Sequence, residues 1–281
     1  MISCINPGTL GAQPPLPEFL PLAAENGFGG IEFNILDAAR LAREITQPAV
    51  IGLFQDNRIA PAAFGLPVEW RLDDAVYQSD IKGLPRLARM AQEMRCTRTG
   101  TWLPPAVQGD PRDFRRKTVR RFREVASILA DFDIRFALEW VGPRTFREPI
   151  LALGGSEFVW NIPGTLELIA DIAEPSGNVG VLADSFHWFT TGATTADLAA
   201  LGGKIVHVHI NDAPDRTRDE QVDRERLLPG DGVIDLHGFL GALATAGYDG
   251  FVSVETFNDA LAALGREEAA RRAGNALRRY L

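Results

Sequence analysis

KIVHVHIND (204–212) sets Val206 and Val208 on one parity and His207 and His209 on the other. That is the period of a strand with two unlike faces. Three further runs obey the same rule: IRFALEW (134–140), NVGVLADS (178–185) and FVSVETF (251–257), each rich in Val, Ile, Phe and Leu and bounded by Gly, Asn, Asp or Pro. All four read as buried strands. Phe136 and Leu138, Val179 and Val181, Val206 and Val208, and Val252 and Val254 are assigned to one face. The opposite face holds Ala137 and Glu139, Gly180, Leu182 and Asp184, His207 and His209, and Ser253 and Glu255. On that face charge and imidazole gather toward the C-terminal ends.

Working outward, four earlier runs are read as strands: ISCI (2–5), GGIEFN (29–34), AVIGLFQ (49–55) and TRTGTW (97–102). Helical patterns lie between the eight, over 16–26, 37–46, 77–95, 113–132, 163–173, 194–201, 235–247 and 258–280, with apolar residues recurring at three and four, as in Leu84, Leu87, Ala88 and Ala91. Eight β/α alternations with short connections predict a single (β/α)8 barrel spanning 1–281, an α/β fold whose active-site residues come from the C-terminal ends of its strands. A doubly wound open sheet is the alternative; it would place its site in one crevice rather than on four successive strands. PPLPEFLP (14–21) is expected to be a turn entering the first helix, and the connection 56–77 a candidate lid. The charges around Arg266 to Arg279 read as a solvated helix face.

Composition narrows the partners. The chain has 281 residues, 46% of them hydrophobic, and a net charge of −8. An acidic balance argues against nucleic acid and an anionic membrane surface, and leaves a small solute. Two cysteines, Cys4 and Cys96, form no disulfide framework, and MISCINPGTLG lacks the basic start and apolar stretch of a signal peptide, so the cytoplasm is the expected location.

Glu139, Asp184, His209 and Glu255 could hold one metal ion. Three carboxylates and an imidazole suit a hard divalent cation, Mn²⁺ being the expected ion and Mg²⁺ or Co²⁺ the alternatives. Such an ion acidifies the carbon beside a chelated ketone, leaving proton transfer to Glu139 and Glu255. His187, three residues after Asp184, is placed to bond a substrate oxygen or move a proton. His207 reads as lying behind His209, and His237 as a surface residue. Arg226, in RLLPGDG (226–232), could reach a substrate hydroxyl or carbonyl.

With ALEW, DSFH, HVHIND, RLLPGDG and GYDGFVSVETF in view, the chain resembles, almost end to end, the xylose-isomerase-like barrels. The resemblance is to their sugar and cyclitol branch of ketose 3-epimerases, hydroxypyruvate isomerase and inosose-processing enzymes. It implies that Glu139, Asp184, His209 and Glu255 bind the metal and that the two glutamates transfer protons. It also implies that His187, Arg226 and Trp102 contact substrate, and that the protein assembles as a dimer or tetramer. One position departs: where ketose 3-epimerases carry a glutamate six residues beyond the fifth-strand glutamate, this chain has Thr145, preceded by Arg144. GPRTFR (142–147) could instead pair a cation with a carboxylate or phosphate on the substrate.

The expected function is therefore a divalent-metal-dependent isomerase or epimerase that abstracts a proton beside a ketone in a sugar, sugar acid or inositol derivative. The alternative is a dehydratase or lyase, which starts from the same enolate and expels a β-leaving group. A zinc-cluster endonuclease would need more than the four histidines present. Amidohydrolase barrels place their His-x-His pair on the first strand, here ISCI. A carbohydrate-binding protein is the non-enzymatic alternative, against which two intact proton-transfer carboxylates count.

Overall fold

The computed structural model describes residues 1–173 and 175–281. Eight parallel strands close into a barrel: β1 (Ile2–Ile5), β2 (Gly30–Phe33), β3 (Ala60–Gly65), β4 (Arg98–Leu103), β5 (Arg135–Trp140), β6 (Val179–Asp184), β7 (Ile205–Ile210) and β8 (Phe251–Val254). Each strand bonds to its neighbours in chain order, and β1 pairs with β8, from Ile2 opposite Phe251 to Ile5 opposite Val254, to shut the cylinder. Helices α1 (Leu16–Glu25), α2 (Ile35–Ile45), α3 (Gln47–Asp56), α4 (Asp74–Glu93), α5 (Pro111–Ala130), α6 (Arg144–Ala152), α7 (Ile162–Ile172), α8 (Ser185–Thr190), α9 (Thr195–Ala199), α10 (Leu236–Thr245), α11 (Asp259–Ala262) and α12 (Arg266–Leu277) lie in the connections between strands and after β8. This is the (β/α)8 architecture expected from the alternation. Among the described residues no helix is long and apolar enough to cross a membrane.

AVIGLFQ is not the third strand. It lies in α3, where Pro48 occupies the first turn, Thr46 caps the N-terminus, and Val50 and Phe54, four residues apart, are buried. A short apolar run does not by itself distinguish strand from helix, and proline in the first turn decides for helix. The true β3, APAAFG, contains no β-branched residue and carries Pro61 beside a register shift between Ile31 and Glu32 of β2. Proline is tolerated there because a bulge relieves the ladder of one donor.

A second bulge corrects the parity of Val206. Val181 pairs with Ile205 but Leu182 pairs with His207, so Val206 is the extra residue. It packs with Ala137 and Leu182 inside the barrel, while Val208 belongs to the outer core beneath the helices. Below, Cys4, Ala62 and Phe251 form the barrel floor, and Arg98 closes it from β4 by donating to the Val206 carbonyl at 3.0 Å.

The remaining differences concern connections. The expected helix 258–280 is divided into α11 and α12, because Gly265 adopts φ 87°, a left-handed conformation that favours glycine. The α6 and α8 helices follow β5 and β6 directly and roof the C-terminal end. The expected lid over 56–77 contains β3 itself and the start of α4, and the connection that remains between them, 66–73, is largely fixed. Trp70 is buried, and its carbonyl and that of Leu72 accept from Arg121 Nη1 at 2.6 and 2.7 Å, so this part is a wall rather than a swinging lid.

Candidate active site

Glu139, one residue before the end of β5, stands opposite Trp102 of β4 and Leu182 of β6, Asp184 ends β6 opposite His209 of β7, and His209 stands opposite Ser253 of β8. Glu255 follows β8, its backbone N–H donating to Ile210 O at 3.2 Å. These registers bring one donor atom from each of Glu139, Asp184, His209 and Glu255 within 4.8 Å of one another. His209 Nδ1 lies at the centre, 3.0 Å from Glu255 Oε2, 3.3 Å from Glu139 Oε1 and 3.9 Å from Asp184 Oδ2.

Two atoms in this group test whether a cation fits. Glu139 Oε1 and His209 Nδ1 are buried and have no hydrogen-bond partner among the described residues. Each unpaired polar atom costs about 1–3 kcal/mol. Native interiors seldom leave such groups unsatisfied. A divalent ion satisfies both at once, and the donor set, three carboxylates and one imidazole, suits it.

Behind His209 stands a residue that sequence reading passed over. Glu32, on β2, places Oε1 3.1 Å from His209 Nε2 and 3.1 Å from His207 Nε2, while Asn6 Nδ2 donates to its Oε2 at 3.0 Å. A carboxylate on Nε2 holds the proton there and leaves Nδ1 as the lone-pair donor facing the other carboxylates. The signal was present in GIEFN: Glu32 is a charge at the end of a buried strand, the same rule that singled out the other four. Asn211, one residue beyond β7, was also missed; its Nδ2 donates to Asp184 Oδ2 at 2.8 Å and to the Glu255 carbonyl at 3.1 Å.

Asp184 serves two structures. Oδ1 accepts from the N–H groups of Phe186 and His187 at 2.7 and 3.0 Å, capping α8, while Oδ2 faces the site. The cap sets His187 on the first turn of α8. Its Nδ1 accepts from Gly142 N–H at 3.3 Å, and Nε2 faces inward, 3.9 Å from both Glu139 Oε1 and Asp223 Oδ1. Gly142 has no room for a side chain, since a Cβ would come within 2.4 Å of Thr190 Oγ1.

Arg226 is buried among these groups rather than reaching freely into the cavity. Nη1 donates to Asp184 Oδ2 at 3.0 Å and Glu255 Oε2 at 2.9 Å, and Nη2 lies 2.7 Å from Asp223 Oδ1 and 3.1 Å from His187 Nε2. Asp212 builds its loop, accepting from the backbone N–H groups of Ala213, Gly230 and Ile234.

Electrostatics follow from this crowding. Burial and the neighbouring Glu255 raise the Glu139 carboxyl, overriding the pull of His209. Burial would also raise Asp184 and Glu32. Arg226 holds Asp184 below the ordinary carboxylate range, and His209 with His207 holds Glu32 well below it. Burial disfavours a charged His209, yet Glu255, Glu32 and Glu139 together raise its proton affinity well above the ordinary imidazole value.

A cavity of about 150 Å³ opens over the group, lined by Glu32, Trp102, Glu139, His209 and Glu255. It adjoins a cleft of about 570 Å³ with which it shares Asn6, Glu32 and Gly65. Trp102 stands at its rim, 41% exposed, in edge contact with Phe146. The cations expected to meet a substrate anion are engaged within the protein. Arg144 pairs with Glu148 at 2.7 Å and Asp219 at 3.0 Å, and Arg147 pairs with Glu157 while stacking on Trp160. Thr145 donates to Gln221 O.

Residues 20–280 match the model of the xylose isomerase-like TIM barrel family. The chain belongs to that family. It is 26% identical over 274 residues to an inosose isomerase of Halalkalibacterium halodurans, covering 95% of this chain and 91% of that one. A 3-dehydroshikimate dehydratase of Pseudomonas aeruginosa is 36% identical over 138 residues, which are 47% of this chain and 21% of that one. The structure of a xylose isomerase domain protein from Alicyclobacillus acidocaldarius superposes with a TM-score of 0.90 at 32% identity, covering 99% and 97% of the two chains. Isomerases and dehydratases thus stand among the relatives of this barrel.

Proposed function

We propose that the protein is a divalent-metal-dependent isomerase or epimerase acting beside a ketone of a sugar, sugar acid or cyclitol. The observation that carries this reading is the convergence of Glu139 and Glu255 on His209 Nδ1, with two buried atoms of the group unpaired. Glu139, Asp184, His209 and Glu255 would hold the ion, for which Mn²⁺ is the choice of a largely oxygen donor set. When bound, the cation would draw electron density from the ketone and so acidify the neighbouring C–H.

The chain's own residues supply the rest. One of the two glutamates takes the proton from carbon, and the electron pair passes into an enediolate. The other returns a proton, to the opposite face of the same carbon in an epimerisation or to the adjacent carbon in an isomerisation. The Gly142 N–H at Nδ1 and Arg226 Nη2, 3.1 Å from Nε2, hold the His187 ring beside the position a substrate oxygen would take. Arg226 ties Asp184 and Glu255 in place and offsets their charge. Trp102 would give the substrate an apolar wall at the rim.

The likeness to a 3-dehydroshikimate dehydratase supports a second reading. The first proton transfer is unchanged, but the electron pair then expels a β-hydroxyl, which leaves as water after protonation by the second glutamate.

Proton NMR of the manganese-loaded protein in D₂O with ketoses, keto acids and inososes separates the two. Deuterium beside the carbonyl of substrate or isomer, with the carbon skeleton and its hydroxyls intact, is the expected result. Loss of water establishes the dehydratase. Absence of exchange in the whole panel with one metal bound per chain overturns both.

A further inference from the structure

Arg71, in the connection between β3 and α4, is a guanidinium that no carboxylate pairs with among the described residues. Its Nη2 donates to Thr101 Oγ1 at 3.2 Å and to the Trp102 carbonyl, its Cζ lies 4.0 Å from the Trp102 ring centre and 4.5 Å from that of Trp70, and its Nε is buried with no hydrogen-bond partner among the described residues. Trp70 is itself fixed by donating Nε1–H to Thr101 Oγ1 at 3.0 Å. Burial lowers the proton affinity of the guanidinium to about 10, only partly offset by Glu69, so it stays charged at neutral pH while lacking the counter-charge a desolvated cation requires. The arginines across the mouth differ, since Arg144 and Arg147 are neutralised by Glu148, Asp219 and Glu157. Thr101 and Trp102, which Arg71 grips, both line the 150 Å³ cavity that contains Glu139, His209 and Glu255.

We infer that Arg71 recognises a carboxylate of the substrate, so that the ketone processed at the metal group belongs to a sugar acid or carbocyclic acid rather than to a neutral sugar. The inference rests on the proton-transfer reading above and names the substrate class for it. A guanidinium carbon 4.0 Å from the Trp102 ring centre offers a planar donor edge, the group with which arginine binds carboxylate and which lysine does not reproduce. The stack also fixes the side chain before the ligand arrives, so little rotamer entropy remains to be lost on binding.

Isothermal titration of the manganese-loaded protein with D-gluconate and with D-glucitol, which share a carbon chain and differ in the carboxylate, tests this directly. Gluconate should bind at least about tenfold tighter than glucitol. Arg71→Met, which keeps the stacking bulk, should erase that difference, and Arg71→Lys should restore only part of it. A gluconate preference that survives Arg71→Met overturns the inference, as does failure of gluconate to bind the wild type. Deuterium exchange distinguishes this from the functional reading. A keto acid exchanging equally fast in wild type and Arg71→Met overturns the role of Arg71 and leaves the proton-transfer reading standing. An Arg71-dependent gluconate preference with no exchange into any ketone overturns the functional reading alone.

Discussion

Glu32 Oε1 lies 3.1 Å from His209 Nε2, on the side of the imidazole away from the other three carboxylates. The ring is thereby fixed in rotation, with Nδ1 facing Glu255 at 3.0 Å and Glu139 at 3.3 Å. A contact of this kind behind a ligating histidine raises the basicity of the coordinating nitrogen and removes the cost of orienting it.

Glu32→Ala is therefore expected to weaken Mn²⁺ binding by about 10–100-fold without removing any atom that would touch the ion. Competition against a fluorescent chelator measures the effect, with circular dichroism to show that the barrel persists. Unchanged affinity in a folded variant would mean that Glu32 merely fills space between His207 and His209.

Glu255→Gln removes an anionic donor and a proton-transfer group together. Turnover should fall by at least about 10²–10⁴-fold, the range attributed to a positioned acid or base. Single-turnover deuterium uptake is the measurement that isolates the proton-transfer step. A variant retaining activity within about tenfold of wild type would take Glu255 out of the reaction.

How much of this was legible in the sequence depends on how strongly each residue type declares its place. Strands β5 to β8 were readable because two-sided alternation and β-branched residues coincide there, and the same parity placed Glu139, Asp184, His209 and Glu255 at one end. APAAFG carries neither signal. Its pairing is imposed by closure of the barrel, a tertiary constraint that local propensity does not contain. Val206 was assigned to the wrong face because a bulge changes parity without changing composition. Arg226 shows a different limit: its loop was recognisable as a tight Pro-Gly turn, but only the fold reveals that the guanidinium is buried against Asp184, Asp223 and Glu255.

That burial changes what truncating Arg226 should do. A cation that merely touched substrate would affect KM alone. Here Arg226→Ala leaves three carboxylates facing one another without their counter-charge, and breaking a buried ion pair costs about 3–5 kcal/mol. The variant should unfold at markedly lower temperature, and Mn²⁺ should restore part of the loss because the ion supplies positive charge to the native state only. Thermal unfolding with and without metal tests this. An Arg226→Ala melting temperature equal to wild type in metal-free buffer would show that the contacts to Asp184 and Glu255 contribute nothing.

The proton on His209 sets the pH dependence of metal binding. Its folded-state affinity for that proton lies well above the ordinary value of 6.5, raised by Glu255, Glu32 and Glu139 against the opposing effect of burial. For the metal-free protein the sign follows directly: the raised value contributes stability that is complete below the unfolded value and is lost as pH rises through the folded one. Metal binding runs the other way, because the cation needs the Nδ1 lone pair and must displace the proton. The stabilisation produced by saturating Mn²⁺ should therefore grow from about pH 6 to about pH 8, with close to one proton released per ion bound. Calorimetric titration in two buffers of different ionisation enthalpy counts that proton, and melting curves across the same range report the stability increment. Binding with no proton release, and an increment that is flat with pH, would mean that His209 is already neutral and its carboxylate neighbours already ionised in the metal-free protein.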